Sequence, residues 1–166
     1  MKFKKITDIL NILNKISKKK KKCFLISNTS KKINQPFFVT PIRESKKSFY
    51  SGAVVFENKT AEEIAKKIDG KVDYVYIDLE KKISNKKDKL VNIERCVKEN
   101  IKISHIKNYK SNDITVNSID TFINDYFAKD PRGVGGKKIL IIGSGNIGSK
   151  VALRFVESGA YIDIFR

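Results

Sequence analysis

The fold of the chain is decided by the stretch Gly136-Lys-Lys-Ile-Leu-Ile-Ile-Gly143-Ser-Gly145-Asn-Ile-Gly148-Ser-Lys-Val-Ala-Leu-Arg-Phe-Val-Glu-Ser-Gly159-Ala-Tyr-Ile-Asp-Ile-Phe-Arg166. The apolar run at residues 139–142 predicts a short parallel strand buried on both faces. Apolar side chains then recur near a 3.6-residue period from Ile147 to Phe155, which predicts a helix. Gly159 is expected to end this helix, and residues 161–165 to form a second strand. The order of strand, glycine turn, helix and strand indicates a βαβ unit.

The glycine turn carries the pattern G-x-G-x-x-G. In a βαβ unit the first glycine permits the tight turn, the second lets the backbone approach a pyrophosphate, and the third lets the helix pack on the strand. The helix N-terminus adds unpaired N–H groups and the positive end of its dipole. We therefore predict a dinucleotide site; a glycine turn without a ligand is the alternative. The predicted site residues are Gly143, Ser144, Gly145, Asn146, Ile147 and Gly148.

The end of the second strand predicts the choice of cofactor. An acidic residue in this region usually holds the ribose 2′-hydroxyl of NAD, whereas an Arg suits the 2′-phosphate of NADP. Arg166 occupies that position, and Asp163 lies two or three residues too early, along the strand. We therefore expect NADP rather than NAD, with Arg166 near the adenosine ribose. The alternative is that Arg166 is only the last residue present and that later residues decide.

Only two strands of the expected dinucleotide-binding domain are present, whereas such domains have about six. Two strands and one helix do not cover both faces of a parallel sheet. We therefore expect a C-terminally truncated fragment with an incomplete cofactor site, which is not active alone. A partner chain that supplies the missing strands is the alternative.

The composition predicts a cytoplasmic globular protein. Hydrophobic residues make up 40% of the 166 residues, and no apolar run approaches the roughly eighteen residues of a membrane-spanning helix. The N-terminal basic residues lead into an amphipathic stretch rather than into the apolar core of a signal peptide. Cys23 and Cys96 are expected to be buried free thiols in a reducing compartment.

The net charge of +17 suggests nucleic acid or an anionic membrane surface as a partner. However, the charge is spread along the chain and comes mostly from Lys, whereas Arg leads in phosphate recognition. A general bias toward Lys, Asn and Ile gives the same excess. We therefore expect a small-molecule substrate and neither nucleic acid nor a membrane as a partner; a homodimer remains open.

Alternating strand and helix patterns predict a small parallel-sheet α/β domain at residues 23–116, after an N-terminal helix and a lysine-rich linker at residues 1–22. Thr60 and Glu63 are predicted to form a capping box. His105 is expected to be structural, and no Cys, His or carboxylate cluster has metal-ligand spacing. Strands are predicted at 23–26, 52–56, 72–79 and 101–106, and a short extended piece at 36–41. Helices are predicted at 60–70 and 90–99, and loops at 42–50 and 81–89.

A bridging helix and loop are predicted at residues 117–136, followed by the start of the dinucleotide-binding domain at residues 137–166. Residues 111–113 indicate a turn and 114–116 a short strand, after which Asn117 or Ser118 caps the helix. The cleft beside this helix is the expected substrate site. The apolar stripe of the helix consists of Ile119, Phe122, Ile123, Tyr126 and Phe127.

This layout resembles the shikimate dehydrogenases and their relatives, the methylenetetrahydrofolate and amino-acid dehydrogenases. In shikimate dehydrogenases an Asn-Thr-Asp motif opens the bridging helix, and its Asp works with a Lys on the substrate hydroxyl proton. Here Asn117-Ser-Ile-Asp120 precedes Gly143 by twenty-three residues, so the resemblance implies a catalytic role for Asp120. The family's Ser-x-Ser and Asn-Val-Thr-x-Pro-x-Lys motifs are missing, apart from a faint match at Val39-Thr40-Pro41, so the substrate is not implied.

The glycine loop is also similar to that of the D-2-hydroxyacid dehydrogenases, which use a His and an Arg from later sequence. The expected function is therefore the N-terminal part of an NAD(P)-dependent oxidoreductase with a small polar substrate in the interdomain cleft. The alternatives are a D-2-hydroxyacid-dehydrogenase-like enzyme, a non-catalytic nucleotide-binding or interaction module, and an inactive fragment.

Overall fold

The computed structural model describes residues 3–16, 19–29, 34–80 and 93–166, and within them the chain is an α/β protein with five helices and a mostly parallel mixed sheet. It divides into a first unit, Met1–Tyr109, and a second unit, Lys110–Arg166. No helix in these ranges is both long and apolar enough to cross a membrane. The elements are α1 (Lys4–Lys15), β1 (Lys21–Asn28), β2 (Phe37–Val39), β3 (Arg43–Glu44), β4 (Ser48–Val55), α2 (Asn58–Ile68), β5 (Tyr74–Asp78), α3 (Ile93–Asn100), β6 (His105–Tyr109), α4 (Ser111–Tyr126), β7 (Lys138–Ile142), α5 (Asn146–Glu157) and β8 (Tyr161–Phe165).

The sheet of the first unit has the strand order β2-β4-β1-β5-β6, with β3 also paired to β4. Strands β4, β1, β5 and β6 are parallel, but β2 and β3 run antiparallel to β4. The sheet is therefore mixed, and the predicted loop at residues 42–50 contains β3 and the start of β4. The stretch is polar and lacks a strand pattern, yet backbone pairing of Arg43 with Tyr50 and a turn closed by Ser45 N–H to Ser48 O (2.8 Å) hold it.

The hydrophobic core of the first unit joins all three of its helices to one face of the sheet. The strands alternate, so that every second side chain of β1 and β5 enters this core, as expected for a sheet with two distinct faces. Its most deeply buried members are Ile6 and Leu13 of α1, Phe24 and Ile26 of β1, Val55 of β4, Ile64 and Ile68 of α2, Val75 and Ile77 of β5, and Ile93 and Val97 of α3.

The predicted starts of α2 and of β1 are wrong. Helix α2 begins at Asn58 rather than at Thr60, with Glu57 as its N-cap. The buried Thr60 hydroxyl lies inside the first turn and donates to Glu57 Oε1 (3.2 Å), so Thr60 and Glu63 do not form a capping box. The lysine run also ends earlier than expected, because the Lys22 N–H donates to the Asp73 carboxylate (2.7 Å) as part of β1.

Some sequence predictions lie outside the described residues. These are the loop at residues 81–89, the first three residues of the helix predicted at 90–99, and the beginning of the lysine-rich linker. Over the described part, α3 agrees with the predicted helix from Ile93 onward.

Strand β6 begins at His105, four residues later than predicted, because the preceding segment is held by Asp69. The Asp69 carboxylate, just after α2, accepts the backbone N–H groups of Lys102 (2.8 Å), Ile103 (3.0 Å) and Ser104 (2.9 Å). Burial raises the pKa of Asp69, but the hydrogen bonds from the backbone of Ser104, Lys102 and Ile103 together lower it by more. The pKa of Asp69 therefore lies below its usual range. The carboxylate thus fixes the connection into β6.

We expect Asp69→Asn to destabilise the first unit by about 1–3 kcal/mol at neutral pH, because an amide replaces a charged acceptor of three N–H groups. A lowered folded-state pKa gives stability that is present above the unfolded-state pKa and is lost as pH falls through the folded-state pKa. The difference between the two proteins should therefore shrink on acidification. Urea unfolding at a series of pH values measures it, with the exposed Asp8→Asn in α1 as the control. A constant difference down to acid pH would contradict this role.

The second unit consists of α4, β7, α5 and β8, and its two strands pair in parallel. Its core comprises Val116, Val134, Val151, Phe155 and Ala160, with Ile139, Ile141 and Ile162 of the strands packed against it. The other sheet face is open: Leu140 is 63% and Ile142 80% exposed. The prediction that residues 139–142 are buried on both faces is therefore wrong for this unit. The helices of the unit pack on only one face of the two strands, the face that carries Ile139 and Ile141.

Gly159 ends α5 as predicted. Its φ of 83° is a left-handed conformation that favours glycine. The Gly159 N–H donates to Val156 O and the Ala160 N–H to Phe155 O, both at 2.9 Å. This is the Schellman pattern, and the buried pair of Phe155 and Ala160 supplies the apolar contact that accompanies it.

Helix α4 begins at Ser111, so the predicted turn at 111–113, the strand at 114–116 and the cap at Asn117 or Ser118 are wrong. The predicted domain boundary between residues 116 and 117 also falls inside this helix. The β-branched run at 114–116 suggested a strand, but Val116 is buried in the core of the second unit. Hydroxyls within the helix are accommodated because Ser118 Oγ donates to Ile114 O (2.9 Å). Of the predicted stripe, Ile119, Ile123 and Phe127 reach that core, whereas Phe122 and Tyr126 are exposed.

Candidate functional site

The glycine loop, residues 143–148, lies at the carboxyl ends of β7 and β8 and leads into α5. The Gly143 N–H donates to Phe165 O (2.8 Å), which extends the strand pairing by one bond before the chain turns. The carboxyl edge of parallel strands is where ligands bind in α/β proteins. The loop is solvent-exposed from Gly143 to Asn146.

The backbone conformation at Gly143 and the lack of space at Gly148 both require glycine, whether or not a ligand binds. Gly143 has a φ of 113°, outside the range that residues with a Cβ readily adopt. At Gly148 a Cβ would lie 2.0 Å from Gly143 O and 3.5 Å from Ile141 Cγ2. A side chain at Gly148 therefore collides with the turn, so α5 packs directly against the end of β7. These positions correspond to the turn-forming and helix-packing glycines expected from the sequence.

Gly145 has no such internal requirement. Its φ of −71° and ψ of −179° are extended angles that any residue adopts. A Cβ built on Gly145 meets no atom within 4 Å. The absence of a side chain therefore leaves open space directly at the N-terminus of α5. This opening fits a group that approaches the backbone closely, as a pyrophosphate does.

The N-terminus of α5 has the electrostatics of an anion site. Its N-cap, Gly145, has no side chain, and the first turn contains no acidic residue. The first N–H groups of a helix have no acceptor within the helix, and the dipole makes this end positive. The first internal bond runs from Ser149 N–H to Gly145 O (2.9 Å), so the loop backbone is already ordered as the start of the helix.

Arg166 follows β8 at the same edge of the strands. The last residue of β8, Phe165, pairs with Ile142, immediately before the loop. Arg166 is exposed and hence free to meet a ligand at that edge. Asp163 pairs with Leu140, two positions back from the edge, in agreement with the expectation that it lies along the strand. The ribose-binding role of Arg166 stays a prediction.

Asp120 lies in the interior of α4 rather than at its start. Its Oδ2 is 3.3 Å from Arg154 Nη1, and its Oδ1 accepts from Asn124 Nδ2 (3.0 Å). Arg154 also donates to Asn117 Oδ1 (2.8 Å). Because Arg154 is eight residues beyond Asn146, it lies roughly 12 Å along α5 from the glycine loop. The Asn117-Ser-Ile-Asp120 motif thus lies at the contact of α4 with α5, and the catalytic role of Asp120 stays a prediction.

A second ion pair, not anticipated from the sequence, lies closer to the loop. Lys150 Nζ is 2.5 Å from Asp113 Oδ1. The hydrogen bond from Lys150 holds the pKa of the Asp113 carboxyl below its usual range. The sequence did contain a signal for this ion pair, because an acidic residue such as Asp113 is favourable in the first turn of a helix. That signal could be used only if α4 was known to begin at Ser111. The groove beside this pair has a volume of about 290 Å³ and is lined by Asp113, Val116, Asn117, Lys150, Leu153, Arg154 and Glu157.

The remaining reactive side chains form no further centre in the described ranges. Cys23 is buried and Cys96 half-buried, both are free thiols, and burial raises the pKa of each. His105 is exposed at the start of β6, with its ring 5.5 Å from that of Tyr74. No group of three or more Cys, His, Asp or Glu residues in these ranges is arranged to hold a metal ion.

Comparisons with protein-family models, with curated proteins and with solved structures find no match to this chain. The sequence pattern and the geometry of the glycine loop are therefore the basis for a functional proposal.

Proposed function

We propose that the glycine loop binds the pyrophosphate of a dinucleotide and that β7, α5 and β8 are the beginning of a Rossmann-type domain. The observation that supports this most is the opening at Gly145. The protein's own packing does not require glycine there, yet glycine is the residue that gives a ligand access to the N-terminus of α5. The phosphates would accept from the backbone N–H groups at the start of α5, with Ser144, Asn146 and Ile147 around them.

We further propose that the chain is part of an NAD(P)-dependent oxidoreductase that acts on a small polar substrate. Arg166 favours NADP over NAD, because a guanidinium suits the extra phosphate on the ribose. Bound NADP would supply the hydride chemistry. The chain's own part is to hold the phosphates at the loop and to orient the adenosine end beside Arg166. A D-2-hydroxyacid-dehydrogenase-like activity and an inactive fragment stay alternatives.

A non-catalytic nucleotide-binding module is the second candidate, and the position of Asp120 favours it. The Asp120 carboxylate is engaged by Arg154 and Asn124 rather than directed at the loop, so the acid implied by the dehydrogenase resemblance has another partner. Binding of NADPH without any substrate-dependent oxidation would support this second candidate over the enzyme.

We expect Gly145→Ala to weaken NADPH binding at least tenfold, about 1.4 kcal/mol, while lowering stability by at most about 1 kcal/mol, the cost of alanine in place of glycine at an N-cap. The added methyl group occupies the space that a pyrophosphate needs but touches no protein atom. Titration of NADPH and NADH by calorimetry measures both affinities and their ratio. Ser158→Ala, at the exposed far end of α5, is the control. Equal NADPH affinity in Gly145→Ala and wild type, or no binding by the wild type, would refute the proposed site.

A further inference from the structure

The sheet of the first unit has a second face, which we name the open face. Side chains of a strand alternate between faces, and the hydrophobic cluster that joins α1, α2 and α3 to the sheet contains none of the residues on this side. Contacts across strands agree with the register: Ser27 Oγ lies 2.7 Å from Tyr109 Oη. The described side chains of the open face are Lys21, Cys23, Leu25, Ser27, Phe38, Arg43, Ser48, Tyr50, Val54, Tyr74, Tyr76, Asp78, His105, Lys107 and Tyr109.

Aromatic rings dominate the open face. It carries Phe38 and four of the chain's six tyrosines. Phe38 is 51% exposed, and the rings of Tyr74 and Tyr76 are 6.4 Å apart. Tyr50 and Tyr74 flank β1 on either side, so they stand about 10 Å apart across the sheet. The rings therefore form a platform that extends over several strands rather than one closed pocket.

A groove crosses one end of this platform. Its volume is about 400 Å³, and it is lined by Leu25, Phe38, Arg43, Tyr50 and Val54 among others. Two of its lining residues, Phe38 and Tyr50, carry aromatic rings on which a planar base could stack. The groove thus combines apolar walls with a cation at its rim.

The charges of the open face are complementary to a polyanion. Arg43 and Lys107 are exposed on it. The six strands carry two acids. Asp78 is 3% exposed, and its Oδ1 accepts the Glu80 N–H (3.0 Å). Glu44 pairs with Phe49, on the opposite face, and forms an ion pair with Lys20 (2.5 Å). The accessible charge of the face is therefore positive, which opposes the approach of a second copy of this chain.

We propose that the open face binds single-stranded nucleic acid, with bases stacked on Phe38, Tyr50 and Tyr76 and phosphates near Arg43 and Lys107. Phe38 is exposed, and Tyr50 and Tyr76 are half-buried. Sheets with aromatic rings on an open face bind single strands in this way, because every unpaired base offers a flat face for stacking. Base pairs of a duplex do not offer that face, so a duplex binds more weakly. The net charge alone did not predict this partner; the grouping of rings and cations on one face does.

The test is fluorescence anisotropy of the whole chain with a labelled oligouridine or oligothymidine of about twelve nucleotides. Tyr50→Leu with Tyr76→Leu is expected to weaken binding at least tenfold. Arg43→Gln with Lys107→Gln should weaken it and reduce the slope of log affinity against log salt by about 1.4. Lys5→Gln with Lys15→Gln, on the exposed side of α1, makes the same charge change away from the open face. This control should bind nearly as the wild type does.

Three results of the binding comparisons would overturn the proposal, besides a failure of the wild type to bind. The first is an equal loss of affinity in the α1 control and in the Arg43/Lys107 variant, because it would show that the oligonucleotide responds to the overall positive charge and not to the open face. The second is equal competition by duplex of the same length or by heparin, since neither presents stackable bases. The third is normal binding by the folded Tyr50/Tyr76 variant; its folding is checked by circular dichroism.

Binding at the open face is independent of the proposed dinucleotide site. Gly145→Ala should leave the oligonucleotide affinity unchanged, and NADPH should not compete. If the oligonucleotide fails to bind but the chain forms a dimer that the Tyr50/Tyr76 variant abolishes, the face is an interface between copies and the nucleic-acid proposal is wrong.

Discussion

Replacing Gly148 by alanine is expected to destabilise the second unit by about 1–3 kcal/mol or more, which is the usual cost of forcing an extra carbon into a packed site. The new Cβ would lie 2.0 Å from Gly143 O, and that neighbour is backbone, which has no rotamer to change. Alanine normally stabilises a helix interior by about 1 kcal/mol relative to glycine. Here the collision outweighs that gain, because α5 must move off the end of β7.

Thermal and urea unfolding of Gly148→Ala measure this effect, and NADPH titration measures its consequence at the loop. Gly145→Ala is a matched control: it adds the same methyl group three residues earlier in the same loop, where nothing lies within 4 Å. We expect both variants to lose NADPH affinity, but Gly148→Ala to lose more stability than Gly145→Ala, which loses only the small cost of alanine at an N-cap. Wild-type stability in Gly148→Ala would mean that α5 does not pack on the glycine turn as described.

Phe24→Ala is expected to cost the first unit about 3–5 kcal/mol, the range for removing a buried aromatic ring. Phe24 is 0% exposed, lies on the central strand β1 and belongs to the cluster that joins three helices to the sheet. Total stabilities of single domains are about 5–15 kcal/mol, so the variant should lose much of its folded population under mild denaturant.

Phe38→Ala is the control for this second prediction, because it removes the same ring from the edge strand β2, where it is half exposed. Its stability should fall by less than about 1 kcal/mol. Urea unfolding followed by far-ultraviolet circular dichroism compares the two. A similar loss in both variants would mean that the helices do not pack preferentially on the face that contains Phe24.

The α/β class and several elements follow from local signals in the sequence. The apolar run before Gly143, the helical period through Phe155 and the left-handed stop at Gly159 each depend on neighbouring residues, and β7, α5 and β8 agree with them. Strand β3 and the start of β4 could not be predicted from the sequence, because their residues are polar and are held in place by backbone pairing with a partner strand. Backbone pairing depends on the fold and not on the identity of the side chains, so no hydrophobic pattern in the sequence reports it.

The start of α4 shows why the predicted site was only partly recovered. The β-branched residues before Asn117 favour a strand in isolation, but burial of Val116 against the second core makes helix the better conformation. This six-residue shift of the helix start moved Asp113 into the first turn, beside Lys150, and moved Asp120 into the interior, beside Arg154. The positions of Gly143 and Gly148 were predictable because their constraint is local backbone geometry.

The strand order of the first unit has a consequence for its biosynthesis. Strand β1 leaves the ribosome before the other strands of its sheet, yet it is the centre of that sheet, and its Cys23 pairs with Tyr50 and with Tyr74, 27 and 51 residues later. At a synthesis rate of about 5–20 residues per second, β1 waits roughly 3 to 10 s for its second neighbour. Until α2 (Asn58–Ile68) emerges late in that interval, the apolar side of β1, with Phe24 and Ile26, has only α1 to cover it. Nascent-chain folding of this unit should therefore begin only after β5 has emerged.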